Sequence, residues 1–345
     1  MGNIVAAIIL LGMLIFVHEL GHFLVAKWMG VGVEKFSLGF GKKILGKQIG
    51  ETEYLLSMIP LGGYVKLVGE DPTEDVSEVD LEKSFSAKPV LSRLAVVVAG
   101  PLFNIIFAVL ILSSVYMLGI QVPSGQPIVG ATVDGYPAQE AGLVAGDRVL
   151  SIDGQRLETW SEMAAIIHAS AGKEVNIAVE RSGNHLSFKV TPRSDEKGEI
   201  GFIGIEPMLV LERYSVPTAF KYGTIKSWEI SVLILSSIRK MFAGEISMKN
   251  LGGPILIAQE AGRSASQGFL SYFTFAAIIS INLGLLNLFP IPVLDGGHIL
   301  FFLIEIVIGR PVNINIREKA QQVGMFLLMA FMIFAFYNDI LRLVH

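Results

Sequence analysis

The 345 residues contain no cysteine. Disulfides and thiolate metal sites are thereby excluded, and any metal has to be held by histidine and carboxylate. Charge is scarce as well: Asp, Glu, Lys and Arg make up 17% of the chain, against roughly 25% in ordinary soluble proteins. The formal net charge is −4 and no basic stripe gathers on any one segment, so nucleic-acid binding is excluded as a function class. No basic residue precedes the first apolar run and no small-residue cleavage site follows it, so that run is expected to be a retained helix and not a removed signal peptide.

Apolar residues take the place of the missing charge. A hydrophobic fraction of 52% and a mean hydropathy of +0.58 read as an integral membrane protein. Four segments reach the roughly 20 residues a helix needs to cross a hydrocarbon core: Ile4 to Met29, Leu94 to Ile120, Phe269 to Ile308 and Val323 to Leu343. The third carries Pro290 and Pro292 in its middle, which predicts a broken helix, and broken backbone at membrane depth usually lines a site. Trp228 to Phe242 is apolar on one side and charged on the other, and reads as an amphipathic helix on the membrane surface.

Lys and Arg flank the spans unevenly. Lys27, Lys35, Lys42, Lys43 and Lys47 follow the first span and Lys83, Lys88 and Arg93 precede the second, which places the loop between them in the cytoplasm. Both termini and the large middle segment are then extracytoplasmic. Within the loop, Glu34 to Val68 has strand-like alternation, and Ile59 to Val65 adds a second such run, so membrane-associated β-hairpins are expected there. Glu70 to Glu82 reads as a solvated acidic loop.

The middle segment reads as a small α/β domain. Strands are expected at Ile128 to Val133, Val149 to Ile152, Glu174 to Arg181 and His185 to Thr191, the last two joined by a Ser182-Gly183-Asn184 turn. Thr159 and Glu162 have capping-box spacing ahead of a helix. Ala141-Gly142-Leu143 followed by Gly146-Asp147-Arg148-Val149-Leu150-Ser151-Ile152-Asp153-Gly154 resembles the core signature of bacterial PDZ domains. That resemblance implies capture of a peptide C-terminus or strand at a sheet edge.

The chemistry lies in the first span, at His18-Glu19-Leu20-Gly21-His22. Residues four apart share a helix face, so both imidazoles reach one ion. Glu19 points about 100° away from His18, beside the ligands and in the place of a general base. A third ligand is needed. The continuation Gly and His of metzincins is absent, since Val25 and Trp28 stand there. Asp295 is the best third ligand, being the carboxylate that the broken third span places deep in the membrane, and a dication with Asp295 and Glu19 sums to zero charge. His298 is the rival, with a supporting role the more natural one for it.

HELGH in the first span and Asn287-Leu288-Phe289-Pro290-Ile291-Pro292-Val293-Leu294-Asp295-Gly296 together resemble the site-2 protease family of intramembrane zinc metalloproteases. The similarity extends to Gly100-Pro101 with Asn104, to Ser247 through Pro254, and to Asp295-Gly296-Gly297-His298, and with one PDZ-like insert it covers nearly the whole chain. It is similar to the bacterial regulator-of-sigma-E protease group, whose enterobacterial members carry two tandem PDZ domains where this chain has room for one.

The resemblance implies a zinc-dependent endopeptidase of the bacterial inner membrane. Its substrate would be a single-span membrane protein already cut by another protease, such as an anti-sigma factor or a signal-peptide remnant. Asn287 matches the family's motif as an anchor for substrate, and Gly62, Gly63 and Tyr64 are expected to present a strand edge to it. The fold expected is a polytopic α-helical membrane protein with about four transmembrane helices, membrane-associated β-hairpins and an inserted α/β PDZ domain. Its parts are residues 1–120, the PDZ-like domain 121–207, an amphipathic surface helix and linker 208–268, and a C-terminal membrane region 269–345. A metal-ion transporter and a catalytically inactive PDZ-bearing scaffold are the alternatives. Glu19 separates them, because a transport site has no need of a carboxylate that does not bind the ion.

Overall fold

The computed structural model describes residues 2–70, 81–195 and 198–344, so most of the acidic stretch from Glu70 to Glu82 lies outside the described residues. In chain order, α1 (Gly2–Trp28) leads into β1 (Val33–Ile49) and β2 (Thr52–Leu67), followed by α2 (Val90–Leu118). Next come β3 (Ile120–Pro123), β4 (Val129–Thr132), α3 (Pro137–Glu140), β5 (Arg148–Ile152), β6 (Gln155–Arg156) and α4 (Trp160–Ala169). Then follow β7 (Val175–Arg181), β8 (Asn184–Val190), β9 (Arg193–Ser194), β10 (Gly201–Phe202), β11 (Ile205–Pro207) and β12 (Leu209–Glu212). The chain ends with α5 (Val216–Phe242), α6 (Pro254–Ser266), α7 (Phe269–Asn287), α8 (Asp295–Ile308) and α9 (Ile314–Val344). Residues 1–117 and 215–345 form one compact unit and Leu118–Tyr214 another.

In the first unit four helices are long and apolar enough to cross a membrane: Gly2–Trp28, Val90–Leu118, Phe269–Asn287 and Ile314–Leu343. The expected third span breaks at its prolines. Helix α7 stops at Asn287 and helix resumes only at Asp295, leaving α8 with 14 residues, too few to cross alone. Backbones approach closely where small residues face each other. A Cβ on Gly21 would lie 2.5 Å from the Ala99 carbonyl oxygen of α2, and one on Gly284 of α7 would lie 2.9 Å from that of Pro101. Arg93 of α2 and Glu305 of α8 form an ion pair at 2.6 Å, both nearly buried, that ties α8 to α2.

Two sequence expectations need correction here. The amphipathic helix expected at Trp228 begins at Val216, and its buried face is Ala219, Gly223, Ser227 and Ser231. Those are small residues four apart, and Gly223 packs directly on Ser113 of α2. Hydropathy missed this face because it is close-packed without being greasy. Residues 208–268 are also more than a surface helix and linker: Gly262 of α6 lies against Asn3 of α1, and the start of α6 is gripped by α9. Asp339 accepts from the backbone N–H of Gly253 at 2.8 Å and of Ile255 at 2.9 Å, filling the open donors of that helix end.

The hairpin between α1 and α2 is one long ribbon folded on itself. Val33 pairs with Leu67 at its base and Ile49 with Thr52 at its tip. Lys35 to Leu38 have a neighbour on each side, Gly63 to Lys66 on one and Glu53 to Leu56 on the other, with the numbers in the second pairing rising together. The sheet therefore has four lanes, and 63–67 is an outer one. Gly39 (φ +90°) and Gly41 (φ +86°) supply the left-handed backbone at the fold. Ile44, Leu45, Ile49, Met58 and Ile59 along the ribbon are exposed, apolar surface suited to lipid and not to water.

In the second unit β6, β5, β7 and β8 form a four-stranded sheet in that order, over a core of Val149, Ile152, Ile177 and Val179 with Met163 and Ile167 of α4. Thr159 and Glu162 form the expected capping box. The β7–β8 turn has Ser182 at φ +50° and Gly183 at φ +82°, as a tight hairpin turn requires. Asp147, fully buried, holds Arg181 through both carboxylate oxygens. The unit is wider than 121–207 because β3 pairs with β12, Ile120 with Glu212 and Pro123 with Leu209. These strands are four residues each and carry too short a pattern to be read from sequence.

Candidate metal centre

The site is built at a crossing of α1, α2 and the start of α8. On α1, His18 and His22 project from one face with their Nε2 atoms 3.2 Å apart. Asp295, in the first turn of α8, brings Oδ2 to 3.0 Å from His18 Nε2 and 3.6 Å from His22 Nε2. A carboxylate at a helix N-terminus is favourably placed against the helix dipole. Gly296 and Gly297 let the preceding loop fold back onto that turn: a Cβ on Gly297 would sit 2.6 Å from Pro292 Cα, and one on Gly296 would overlap the Phe289 carbonyl. Val293, two residues before Asp295, is held at φ +116°. A β-branched residue there is strained, and strained backbone of this kind collects at functional sites.

Whether a metal fits can be judged from the three donor atoms themselves. Ligands on a tetrahedral zinc at about 2.0–2.1 Å lie roughly 3.3 Å from one another, and the separations of 3.0, 3.2 and 3.6 Å bracket that value. Asp295 Oδ2 is buried and, among the described residues, faces the two imidazole nitrogens with no well-formed hydrogen bond. A buried carboxylate oxygen left so is costly unless a cation meets it. These three residues are the group of metal-ligating type that converges among the described residues. The set fits a divalent cation.

Helix α2 supports the pair from behind. His22 Nδ1 donates to the Val96 carbonyl at 2.9 Å, which leaves Nε2 for the centre. Gly100 lies under both imidazoles: a Cβ there would be 2.9 Å from His18 Cε1 and would overlap His22 Nε2. Glu19 is outside the converging group but lines the same cavities, and it accepts a hydrogen bond from the Val65 backbone on the outer sheet lane.

The remaining expected residues fall in two cavities. A small one of about 260 Å³ brings Gly62, Gly63 and Asn287 together with His18, Glu19 and Asp295, and Phe40 closes its side. Tyr64 instead lines a second cavity of about 630 Å³, which shares His18, Glu19, Gly63 and Asp295 with the first, and stacks on Phe40 at 6.2 Å. That larger cavity also holds His298, together with Lys66, Glu70, Arg317 and Gln321. His298 does not join the converging group. The polar residues of this second cavity, scattered over four segments, carried no common sequence signal.

A family model described as Peptidase family M50 matches residues 6–331. The chain belongs to peptidase family M50. Among the relatives of this M50 peptidase, the regulator of sigma-E protease RseP of Escherichia coli is 32% identical, over 99% of each chain. A Brucella suis protein named as a zinc metalloprotease is 36% identical over 98% of this chain and 95% of its own. One from Campylobacter jejuni, similarly named, is 38% identical over 98% and 93%. The E. coli alignment spans 448 positions against 345 residues here, an excess close to the length of one more insert such as Leu118–Tyr214. Among solved structures, the PDZ domain of an SdrC-like protein from Listeria monocytogenes is 28% identical over 26% of this chain and 93% of its own, with a TM-score of 0.22. The M50 peptidase is thus an intramembrane metalloprotease with an inserted α/β domain.

Proposed function

We propose that His18, His22 and Asp295 hold one zinc ion and that the protease cuts a single-span membrane protein, already trimmed by another protease, in or beside its transmembrane segment. The observation that carries this reading is the buried Asp295 oxygen set against two imidazole nitrogens, with Glu19 beside them. When bound, zinc supplies a Lewis acid that polarises the scissile carbonyl and acidifies water. Glu19 takes the proton of the attacking water and returns it to the leaving amine. The large cavity, lined by Lys66, Glu70, His298, Arg317 and Gln321, is polar enough to admit that water to membrane depth.

A helical substrate hides its carbonyls in its own hydrogen bonds, so it must be held extended to be cut. The outer lane 63–67 offers the means. Val65 and Leu67 direct their N–H groups off the sheet, to Glu19 and to the Glu70 carboxylate, and by the period of two Gly63 faces the same way. A substrate strand pairs beside Gly63, in the cavity that Asn287 also lines, and the Asn287 amide hydrogen-bonds its backbone. Gly63→Pro, which removes that N–H, is expected to lower cleavage at least about tenfold with zinc retained. Gly63→Ala brings the same Cβ, 2.8 Å from the Ser37 carbonyl oxygen and 3.1 Å from Glu19 Cγ, and keeps the N–H, so it controls for that crowding and should stay more active than the proline variant. Equal activity of the two would refute strand pairing at this edge.

The inserted domain takes a peptide C-terminus or strand in the groove of about 730 Å³ between α4 and β10–β11, lined by Trp160, Ile167, His168, Arg193 and Phe202. The protease sits in a bacterial inner membrane with both termini and this domain outside and the β-ribbon inside. The absence of native cysteine makes this simple to check. In intact cells, Asn184→Cys should react with an impermeant maleimide and Lys47→Cys should not, both positions being exposed. The reverse pattern would invert the topology.

A further inference from the structure

His18 has two ring nitrogens, and Nε2 is committed to the centre, 3.0 Å from Asp295 Oδ2 and 3.2 Å from His22 Nε2. Its Nδ1 faces the side-chain amide of Asn104 on α2, with Nδ2 at 3.2 Å. Asn104 is completely buried, and its Oδ1 has no hydrogen-bond partner among the described residues. It lies one helical turn beyond Gly100, on the α2 face that carries the imidazoles. The backbone of the same residue is held too: Ser280 Oγ donates to the Asn104 carbonyl at 2.7 Å, fixing this part of α2 against α7.

We propose that Asn104 is a positioning residue for the metal centre, its amide oxygen accepting the Nδ1–H of His18 so that Nε2 is presented to the ion. This rests on the zinc site proposed above. A neutral imidazole that gives Nε2 to a metal carries its proton on Nδ1, and that proton needs an acceptor in a buried site. An amide meets the need by a half-turn, since its oxygen and nitrogen exchange places. With Nδ2 towards the ring, His18 keeps its proton on Nε2 and points it at Asp295. With Oδ1 towards the ring, the proton sits on Nδ1 and the Nε2 lone pair faces the centre. Asparagine serves both arrangements and adds no charge, whereas an aspartate would place a third carboxylate beside Glu19 and Asp295 at membrane depth. His22 has the corresponding support from the Val96 carbonyl, so α2 orients both imidazoles.

The test is zinc affinity, measured by chelator competition on the purified full-length protein, for the native chain, Asn104→Leu, Asn104→Asp and Asp295→Ala. Leucine keeps the branched outline and removes the acceptor; aspartate restores the acceptor. The expected order is native, then Asp, then Leu, with Leu about 10–100-fold weaker than native. A residue that only packs would give the opposite order, because leucine fills the space and a buried carboxylate without a partner is costly. Native affinity in Asn104→Leu, or an Asp variant no better than Leu, overturns the proposal. If Asn104→Leu does not accumulate, Asn104→Ala takes its place under the same criteria. Asp295→Ala keeps the two readings apart: were it to bind zinc as the native chain does, the metal centre itself would be wrong.

Discussion

Glu19→Gln is expected to lower peptide cleavage by about 10²–10⁴-fold and to leave zinc bound. The side chain keeps its size and can still accept the Val65 N–H through its amide oxygen, so the contact between α1 and the sheet survives. What is lost is the ability to take a proton from water and hand it to the leaving amine. Glu19 stands outside the converging donors His18, His22 and Asp295, which is why the ion should be indifferent to the change. The measurement is cleavage of a tagged, pre-trimmed single-span substrate in reconstituted membranes, with zinc content determined on the same preparations. Cleavage at the native rate would remove Glu19 from the mechanism. Loss of zinc together with activity would make it a ligand.

Gly100→Ala is expected to cost as much by a different route. In an ordinary helix the change is favourable by roughly 1 kcal/mol, because alanine has the higher propensity. Here the added methyl would lie 2.9 Å from His18 Cε1 and overlap His22 Nε2, and moving α2 away from α1 would give up the close packing of Gly21 on the Ala99 carbonyl. The imidazoles must therefore leave the centre. Zinc affinity should fall on the order of 100-fold, with cleavage lost and the helical content of the protein unchanged. Gly12→Ala on α1, whose Cβ would meet nothing within 4 Å, is the matched control and should be silent. Native zinc binding by Gly100→Ala would show that the crossing is looser than the packing indicates.

Much of this architecture was legible because the bilayer constrains sequence so strongly. The spans stand out by length and hydropathy, and the prolines at 290 and 292 mark the break that places Asp295 at the start of α8. The histidine pair follows from the period of the helix. Less could be read where close packing and not hydropathy decides. The buried face of α5 is small and partly polar, and the roles of Gly100, Val96 and Asn104 depend on a helix crossing between segments some 80 residues apart in sequence. Motif resemblance drew attention to Gly100, Pro101 and Asn104 without giving them work to do. The doubling of the β-ribbon was equally hidden, since alternation marks a strand but not which lane ends beside Glu19.

Zinc content per chain in four purified variants tests the account most directly. His18→Ala, His22→Ala and Asp295→Ala should each lose the ion that the native protein holds in a one-to-one ratio, and Glu19→Gln should keep it. An Asp295→Ala protein that retained its full complement would contradict the claim that two distant membrane helices share one ion.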